Sequence, residues 1–558
     1  MRRKNTSLFT FHARNKDRNY SIVTKWRVSP PKDVIIYFIC SFSIFIYFGA
    51  MKIFSASQIR ACDAYTIHAS GTSSADLMER AANACVKWIN EHLPQDSVFI
   101  VLCGTGNNGG DGLAITRLLH QQGYGAKAFL LQMNSELSAD CQLNLDRLKA
   151  IDSSLLQTLQ PDTYITDIAP HIVILDAILG TGLNRAPEGW VANFISHIND
   201  TPNKKIAIDI PSGMPADVIP EDGAQVLEVN DTLSFQFQKR SFLHPETGSL
   251  AGNIRILDIG LHETFIESTH SSYQITDTAL IKEIYKPRKP FTHKGTYGTA
   301  YIAGGSYGMM GAVTLAAKAA YRAGAGKVTA LIPECGYNIL QTIVPEAMCM
   351  VKGEKHINRI SDWKGMQSIA VGPGLGTKPE TIRAFGDLLD VCKQPLLLDA
   401  DALNILAEQP ELLNKLPTHS ILTPHPKEFN KLFGETGNSM QRLELARTQA
   451  MKYNIHIVLK DRFTAVISPE GECRYNMTGN AGMATGGSGD VLTGVIAGLL
   501  AQGYEPYEAA TLGVYVHGLA GDYAAVESSQ EAMLAGDIIS HLGNAFTHIK
   551  TTATQELF

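Results

Sequence analysis

Short apolar runs recur along the chain after residue 51, and each is stopped by Gly, Pro or Asp. They read "VFIVLC", "HIVILDAI", "KKIAIDI", "TAYIAGG", "GKVTALI", "SIAVGPG", "PLLLDAD", "SILTPH" and "IHIVLK". Near-continuous apolar runs, rather than alternating ones, predict strands buried on both faces, as in a parallel sheet. The stretches between them carry helical periodicity. Strand and helix alternate throughout, so the expected class is α/β. The strand pattern lapses in "ESTHSSYQITDTALIKEIY" and resumes after "KPRKPFTHKGTYG". This predicts two bodies, residues 51–266 and 276–558, joined by a connector at 267–275. Neither a solenoid repeat nor a low-complexity tract interrupts the pattern.

Residues 1–50 follow another pattern. Arg2, Arg3, Lys4, Arg14, Lys16, Arg18, Lys25, Arg27 and Lys32 stand against Asp17 and Asp33, and residues 34–51, "VIIYFICSFSIFIYFGAM", carry no charge. That run is just long enough for a membrane anchor. Basic residues ahead of it would keep the N-terminus in the cytoplasm and export everything after Met51. Export would separate the rest of the chain from cytoplasmic substrates, so the expectation is a cytoplasmic protein whose working start is Met51. Membrane association through residues 34–51 is the alternative.

Of 558 residues, 45% are apolar and 18% charged, which fits a globular chain with a large core. The net charge of -6 gives no basic field for nucleic acid. Nine scattered cysteines with no CxxC pair argue against a disulfide framework or a zinc site, and for a reducing compartment.

Candidate chemistry sits where strands end. "NNGGDG" at 107–112 follows the run 98–103 and precedes a helical segment at 113–120. The reading is strand, glycine-rich turn, helix N-terminus, a place suited to phosphate. Its Asn and Asp oxygens exceed what a phosphate cradle needs. "LDAILGTGLNRAPEG" ends a strand at Asp176, and "IAIDIPSGM" ends another at Asp209 with Ser212 beyond. Ligands of open α/β sheets bind outside the carboxyl ends of the strands, so these three segments are expected to line one crevice. Asn108 and Ser212 oxygens with the Asp176 carboxylate suit a hard cation of low charge. In the second body, "GGSGD" at 486–490 leads into an apolar helix expected to start near Val491. Free amides beside a carboxylate, Asp490, are what phosphoryl transfer to a hydroxyl requires. Each motif alone also suits a helix cap or an Asx turn.

"NNGGDGL", "DAILGTG" and "AIDIPSGM", in this order and after "IRACDAYTIHASGTSSADLMERAA", resemble the YjeF N-terminal domain family of NAD(P)HX epimerases over about 51–266. The resemblance implies a Rossmann-like α/β/α domain that interconverts the R and S epimers of NADH or NADPH hydrated at C6 of the nicotinamide ring. It implies a potassium ion on Asn108, Asp176 and Ser212. It implies hydrate binding by Asn107, Asn108, Gly109, Gly110 and Asp111, and by Gly180, Thr181, Gly182, Leu183, Asn184, Arg185 and Ala186. Asp209 would bind the hydrate and move protons.

"HKGTYGTAYIAGGSYGMMGA", "VGPGLG", "LLLDADALNIL", "LTPHPKEF", "VLKDRFTAV" and "TGGSGDVLTG" resemble the ADP/ATP-dependent NAD(P)HX dehydratases of the ribokinase-like superfamily over about 276–546. This implies a second α/β/α domain, phosphorylation of the C6 hydroxyl of the S hydrate, and loss of phosphate to return NAD(P)H. By resemblance Ala312, Gly374, His425 and Asp490 meet the hydrate, and Lys460, Asp461, Arg462, Phe463, Thr464 and Gly489 meet the nucleotide. ADP with magnesium is the expected donor. That family often has Gly after the Lys, where this chain has Asp461 and Arg462. The expected ligands are small molecules, with no nucleic acid, and the expected assembly is a homo-oligomer. Asp399 and Asp401 in "DADAL" suit a structural or a metal-adjacent role equally. Two other readings stand beside this one: a ribokinase-like small-molecule kinase fused to a Rossmann-like binding domain, and a non-enzymatic binding module.

Overall fold

The computed structural model describes residues 51–133, 136–183 and 185–554. The uncharged run 34–51, apart from Met51, lies outside the described residues, as does Asn184. Among the described residues no helix is long and apolar enough to cross a membrane, and the eight cysteines are free.

The strands are β1 (Met51–Lys52), β2 (Val98–Cys103), β3 (Gly125–Leu131), β4 (Leu156–Leu159), β5 (Ile172–Ala177), β6 (Lys205–Ile208), β7 (Asp231–Phe235), β8 (Asn253–Leu257) and β9 (Tyr273–Thr276). Then come β10 (Thr299–Ala303), β11 (Lys327–Ile332), β12 (Met348–Val351), β13 (Ser368–Val371), β14 (Leu397–Leu398), β15 (Ile421–Leu422), β16 (His456–Leu459), β17 (Ala465–Ile467) and β18 (Cys473–Asn476). They form two sheets, as the α/β reading expects. The first runs β4-β3-β2-β5-β6-β7-β8, parallel throughout. Strand order reverses between β2 and β5, and the crevice at such a reversal is where doubly wound sheets bind ligands. The loops after β2 and β5 are two of the three expected to carry chemistry here; the third follows β6.

The glycine-rich segment after β2 differs from expectation. It is the start of the helix itself, Asn107–Gln121, with Gly106 as N-cap. None of its glycines has a positive φ. They are required by closeness instead. A Cβ on Gly109 would lie 1.9 Å from the Gly104 carbonyl oxygen, and one on Gly112 would lie 2.7 Å from Ala177 Cβ. The missing side chains let the first two turns press onto the end of the sheet, which delivers Asn108 and Asp111 to the crevice.

The second sheet runs β1-β9-β18-β17-β16-β15-β14-β13-β10-β11-β12. From β12 to β16 it is parallel, β17 is antiparallel, and order reverses between β10 and β13. On one face the helices Met310–Arg322 and Ser488–Ala501 cross. A Cβ on Gly494 would stand 2.2 Å from the Ala316 carbonyl oxygen, and one on Gly498 2.6 Å from that of Ala320. This close crossing brings the N-termini of both helices together above the reversal. "GGSGD" also starts its helix earlier than expected, at Ser488, so Asp490 lies in the first turn.

The bodies interlock. β1 pairs antiparallel with β9 on the second sheet, and Leu243 packs into a core otherwise built from Ile53 and the second body. Arg240 donates to Glu444 at 2.9 Å and lies 4.4 Å above the Tyr273 ring. The buried His244 ring bonds Ser439 Oγ and Tyr475 Oη.

Candidate functional site

At the first crevice, strand-end register brings the three expected segments together. Gly104 follows β2 and donates to Ala177 of β5 at 3.1 Å. Asp176 is fully buried; it accepts from Ser212 N at 2.7 Å, Ser212 Oγ at 2.6 Å and Ile178 N at 3.2 Å. Burial nevertheless pushes its carboxyl up to about 6, against the pull of those hydrogen bonds. Ser212 Oγ also accepts from Leu179 N at 2.8 Å. The buried Asn108 amide has no hydrogen-bond partner at either atom among the described residues. A Cβ on Gly180 would touch Asn108 Cβ at 3.1 Å, so only glycine lets that loop lie against the amide. An orphaned amide oxygen beside a buried carboxylate and a hydroxyl fits a monovalent cation, which would satisfy Asn108 and offset the charge on Asp176.

Asp209 terminates β6 in the left-handed region, φ 67°. Its Oδ2 accepts from Thr181 N at 3.2 Å, which ties the 180–183 loop to it. Its Oδ1 accepts from Lys239 Nζ at 2.6 Å. Lys239 is fully buried, and its ammonium donates further to Ser234 Oγ at 2.6 Å. The motif reading had not singled out this lysine, because "FQKRS" carries no pattern of its own. Around the pair stand two more carboxyls. Burial, then the charge of Asp209, lifts Asp63 to about 7 and raises Asp111 well above the usual range. Gly182 and Arg185 are exposed, while Thr181, Leu183 and Ala186 are half-buried along the same loop.

The second crevice gathers most of the residues expected for it. Gly374, φ 60°, would place a Cβ 3.1 Å from Ala312 Cβ, so the loop after β13 lies on the first turn of Met310–Arg322. A Cβ on Gly487, φ 91°, would meet Leu315 at 2.6 Å. Lys460, at the end of β16, donates to Asp399 at 2.9 Å and stands 3.8 Å from Glu428. Asp399 also accepts from Thr493 Oγ1 at 2.6 Å. Its burial opposes the charge, but Lys460 and the hydrogen bonds hold its carboxyl below the usual range. Both Asp399 oxygens are thus engaged, and Asp401 accepts from Gly376 N at 2.8 Å. Between them Ala400 sits at φ 48°, ψ -117°, a strained conformation of the kind found at functional sites.

Gly489 would direct a Cβ to 3.5 Å from Lys460 Nζ. Asp490, next to it, is pushed up to about 7, first by burial and then by the charge of Asp399. His425 caps the helix Pro426–Phe433, its Nδ1 accepting from Lys427 N and Glu428 N. Burial and the Lys460 charge lower its pKa, and with Nδ1 accepting, the neutral ring carries its proton on Nε2. Asp461, Arg462, Phe463 and Thr464 form the turn from β16 to β17, outward of Lys460. The buried His517, 3.4 Å from Ser488 Oγ, was not foreseen from the sequence.

Residues 74–241 match the family described as YjeF-related protein N-terminus, and residues 300–544 match that described as NAD(P)H-hydrate dehydratase. The bifunctional NAD(P)H-hydrate repair enzyme Nnr of Moorella thermoacetica is 37% identical over 84% of this chain and 91% of its own length. This chain belongs to the bifunctional NAD(P)H-hydrate repair enzyme family. The Nnr of Escherichia coli is similar as well, 32% identical over 87% of this chain and 92% of its own. The ADP/ATP-dependent NAD(P)H-hydrate dehydratase of Bacillus subtilis, solved with ATP and Mg2+, is 32% identical over 49% of this chain and 98% of its own, with a TM-score of 0.44. Both family matches contain one crevice each, and the strand-end acids Asp176, Asp209 and Asp399 and the helix-start acid Asp490 fall within them.

Proposed function

We propose that this chain repairs hydrated NADH and NADPH: the 51–266 body epimerises the R and S hydrates, and the 276–558 body dehydrates the S hydrate at the expense of ADP. The observation that supports the reading is a pair of crevices on one chain, each at a strand-order reversal and each lined by carboxyls, Asp209 in the first and Asp490 in the second.

In the first crevice, Asp209 exchanges a proton with the hydrate, and Lys239 holds its other oxygen in place. The helix N-terminus at 107–111 and the loop 180–186 bind the hydrate's diphosphate and ring. Asn108, Asp176 and Ser212 would hold potassium, which would fix the crevice wall by neutralising Asp176. In the second crevice, Asp490 takes the proton of the C6 hydroxyl as that oxygen attacks the terminal phosphoryl of ADP. AMP leaves; the phosphate ester then loses phosphate from C6 and a proton from the neighbouring carbon, restoring the ring. The amides of 487–489 and the Lys460 charge stabilise the transferring group. Ala312, Gly374 and His425 shape the hydrate's berth, and Lys460–Thr464 with Gly489 takes the nucleotide. Magnesium would arrive on the nucleotide's phosphates. Among the described residues there is no cluster of three or more His, Cys, Asp or Glu for a separately held metal.

Free cysteines and cytoplasmic substrates support a cytoplasmic site of action. A homo-oligomer, testable by light scattering, completes the proposal. Product analysis tests the dehydratase: S hydrate with ADP should give AMP, inorganic phosphate and the near-ultraviolet absorbance of reduced nicotinamide. A phosphorylated organic product without that absorbance would instead mark a small-molecule kinase.

A further inference from the structure

The helix Pro506–Ser528 carries "HGLAGD" at 517–522, a motif that the reaction just described does not use. Gly518, Gly521 and Asp522 lie on one face of the helix, three and four residues apart. That face is moulded onto the connection between β18 and the helix Ser488–Ala501. A Cβ on Gly518 would stand 2.3 Å from Thr478 Oγ1, and one on Gly521 would stand 2.3 Å from Met483 Sδ. Thr478 Oγ1 donates to the Tyr515 carbonyl at 2.9 Å. Both oxygens of Asp522 are engaged by this connection: Oδ2 accepts from Gly479 N and Oδ1 from Asn480 Nδ2, each at 2.9 Å. Gly479, at φ 100°, can make this turn only as glycine.

The other side of Gly479 faces the nucleotide segment. Its carbonyl accepts from Arg462 Nη1 at 2.9 Å. The Arg462 guanidinium lies 4.6 Å above the Phe463 ring, and the residue is otherwise exposed. A third tie, Asn476 N to the Thr464 carbonyl at 2.9 Å, fixes the same turn to the same connection. A long exposed arginine ordinarily samples many rotamers, and ordering it costs binding free energy. Here one fork nitrogen and one ring face are fixed before any ligand arrives. A planar guanidinium held this way suits the paired oxygens of a phosphate.

We propose that Asp522 is a positioning residue for the adenine nucleotide: through Gly479 it holds the Arg462 guanidinium in place to contact the nucleotide's phosphates. The inference rests on the reading of Lys460–Thr464 as the nucleotide segment. It gives the exposed Arg462 of that segment a defined use. Arg462 supplies the contact, and the helix 506–528 sets where it lies.

The test is steady-state dehydration by the full chain, with ADP varied at saturating S hydrate and the hydrate varied at saturating ADP. Asp522→Ala should raise KM for ADP about tenfold, the order of one charge-assisted contact. It should leave kcat, KM for the hydrate and the epimerase rate within about twofold, the signature of lost ground-state binding. Arg462→Ala, which removes the contact itself, should raise KM for ADP at least as far, and the double variant should be no worse than Arg462→Ala alone. Asp522→Asn keeps one acceptor and should fall between. An unchanged KM for ADP in Asp522→Ala, additive effects of the two substitutions, or a parallel rise in KM for the hydrate would overturn the inference. Should Asp522→Ala fail to fold, Asp522→Asn and Arg462→Ala decide by the same criteria. A wild-type chain that dehydrates nothing with any nucleotide would refute the proposed function, a different result from a normal enzyme indifferent to Asp522.

Discussion

Asp490→Asn removes one proton acceptor and almost no volume. Asp490 sits in the first turn of Ser488–Ala501, beside Gly489 and the Lys460–Asp399 pair. Burial and the Asp399 charge push its carboxyl up to about 7, the range in which a general base is half ionised at neutral pH. Loss of a general base typically costs about 10²–10⁴-fold, or about 3–5.5 kcal/mol of barrier. Stability should move the other way. A carboxyl whose folded pKa exceeds its unfolded value favours folding below the unfolded pKa, and that advantage is lost as pH rises through about 7. An Asn at the same place does not ionise, so at pH 8 the variant should melt no lower than wild type. The assay is phosphate release from S hydrate at saturating ADP, with epimerisation followed in the same preparation and thermal melting at pH 6 and 8. Lost dehydration with intact epimerisation, and a melt at pH 8 no lower than wild type, supports the role. Dehydration within about threefold of wild type refutes it, because general-base assistance is worth more than that.

The same pKa makes the acid limb of kcat/KM for dehydration rise with pH through about 7, since the deprotonated form is the active one; a profile flat from pH 5.5 to 8.5 would contradict this. Asp209→Asn should abolish epimerisation and also cost about 3–5 kcal/mol of stability, because it strands the buried Lys239 ammonium; adding Lys239→Met should recover much of the melting temperature but none of the activity. Asn108→Ala should remove any stimulation of epimerisation by potassium over sodium while leaving dehydration intact, measured by titrating each salt. Gly109→Ala should cripple epimerisation, because its Cβ would collide with the Gly104 carbonyl at 1.9 Å and push the helix start off the sheet; a fully active variant would mean the helix need not sit that close.

The nine apolar runs are the parallel strands β2, β5, β6, β10, β11 and β13–β16 of the two sheets. They were legible because strands buried on both faces leave little room for polar residues. The four edge strands were not singled out, nor were the interior β3, β7, β9, β17 and β18. β4 exposes its middle residues, β8 and β12 have no fully buried residue, and β1 spans only Met51 and Lys52. Long-range pairing stabilises these strands more than their own pattern does. The glycine motifs were found for one reason and act for another: those at 109–112 serve helix-to-sheet contact and have negative φ, whereas Gly374 and Gly487 do adopt left-handed conformations. The strand-end acids were legible from position alone. Lys239, Asp63 and His517 were not, since each reaches its crevice from a helix or turn whose sequence carries no motif. Lys239 becomes meaningful only when β6 and β7 lie side by side and place Asp209 within 2.6 Å.

Two activities in series on one chain should return every hydrate to NADH. The most direct measurement supplies the chain with a mixture of R and S hydrated NADH and excess ADP, and follows reduced-nicotinamide absorbance and inorganic phosphate to completion. The account predicts that both epimers are consumed, with one phosphate released per NADH recovered. With Asp209→Asn in place of wild type, recovery should slow sharply once the S hydrate is exhausted. Wild-type recovery that stalls at the S fraction, or absorbance regained without phosphate release, would contradict it.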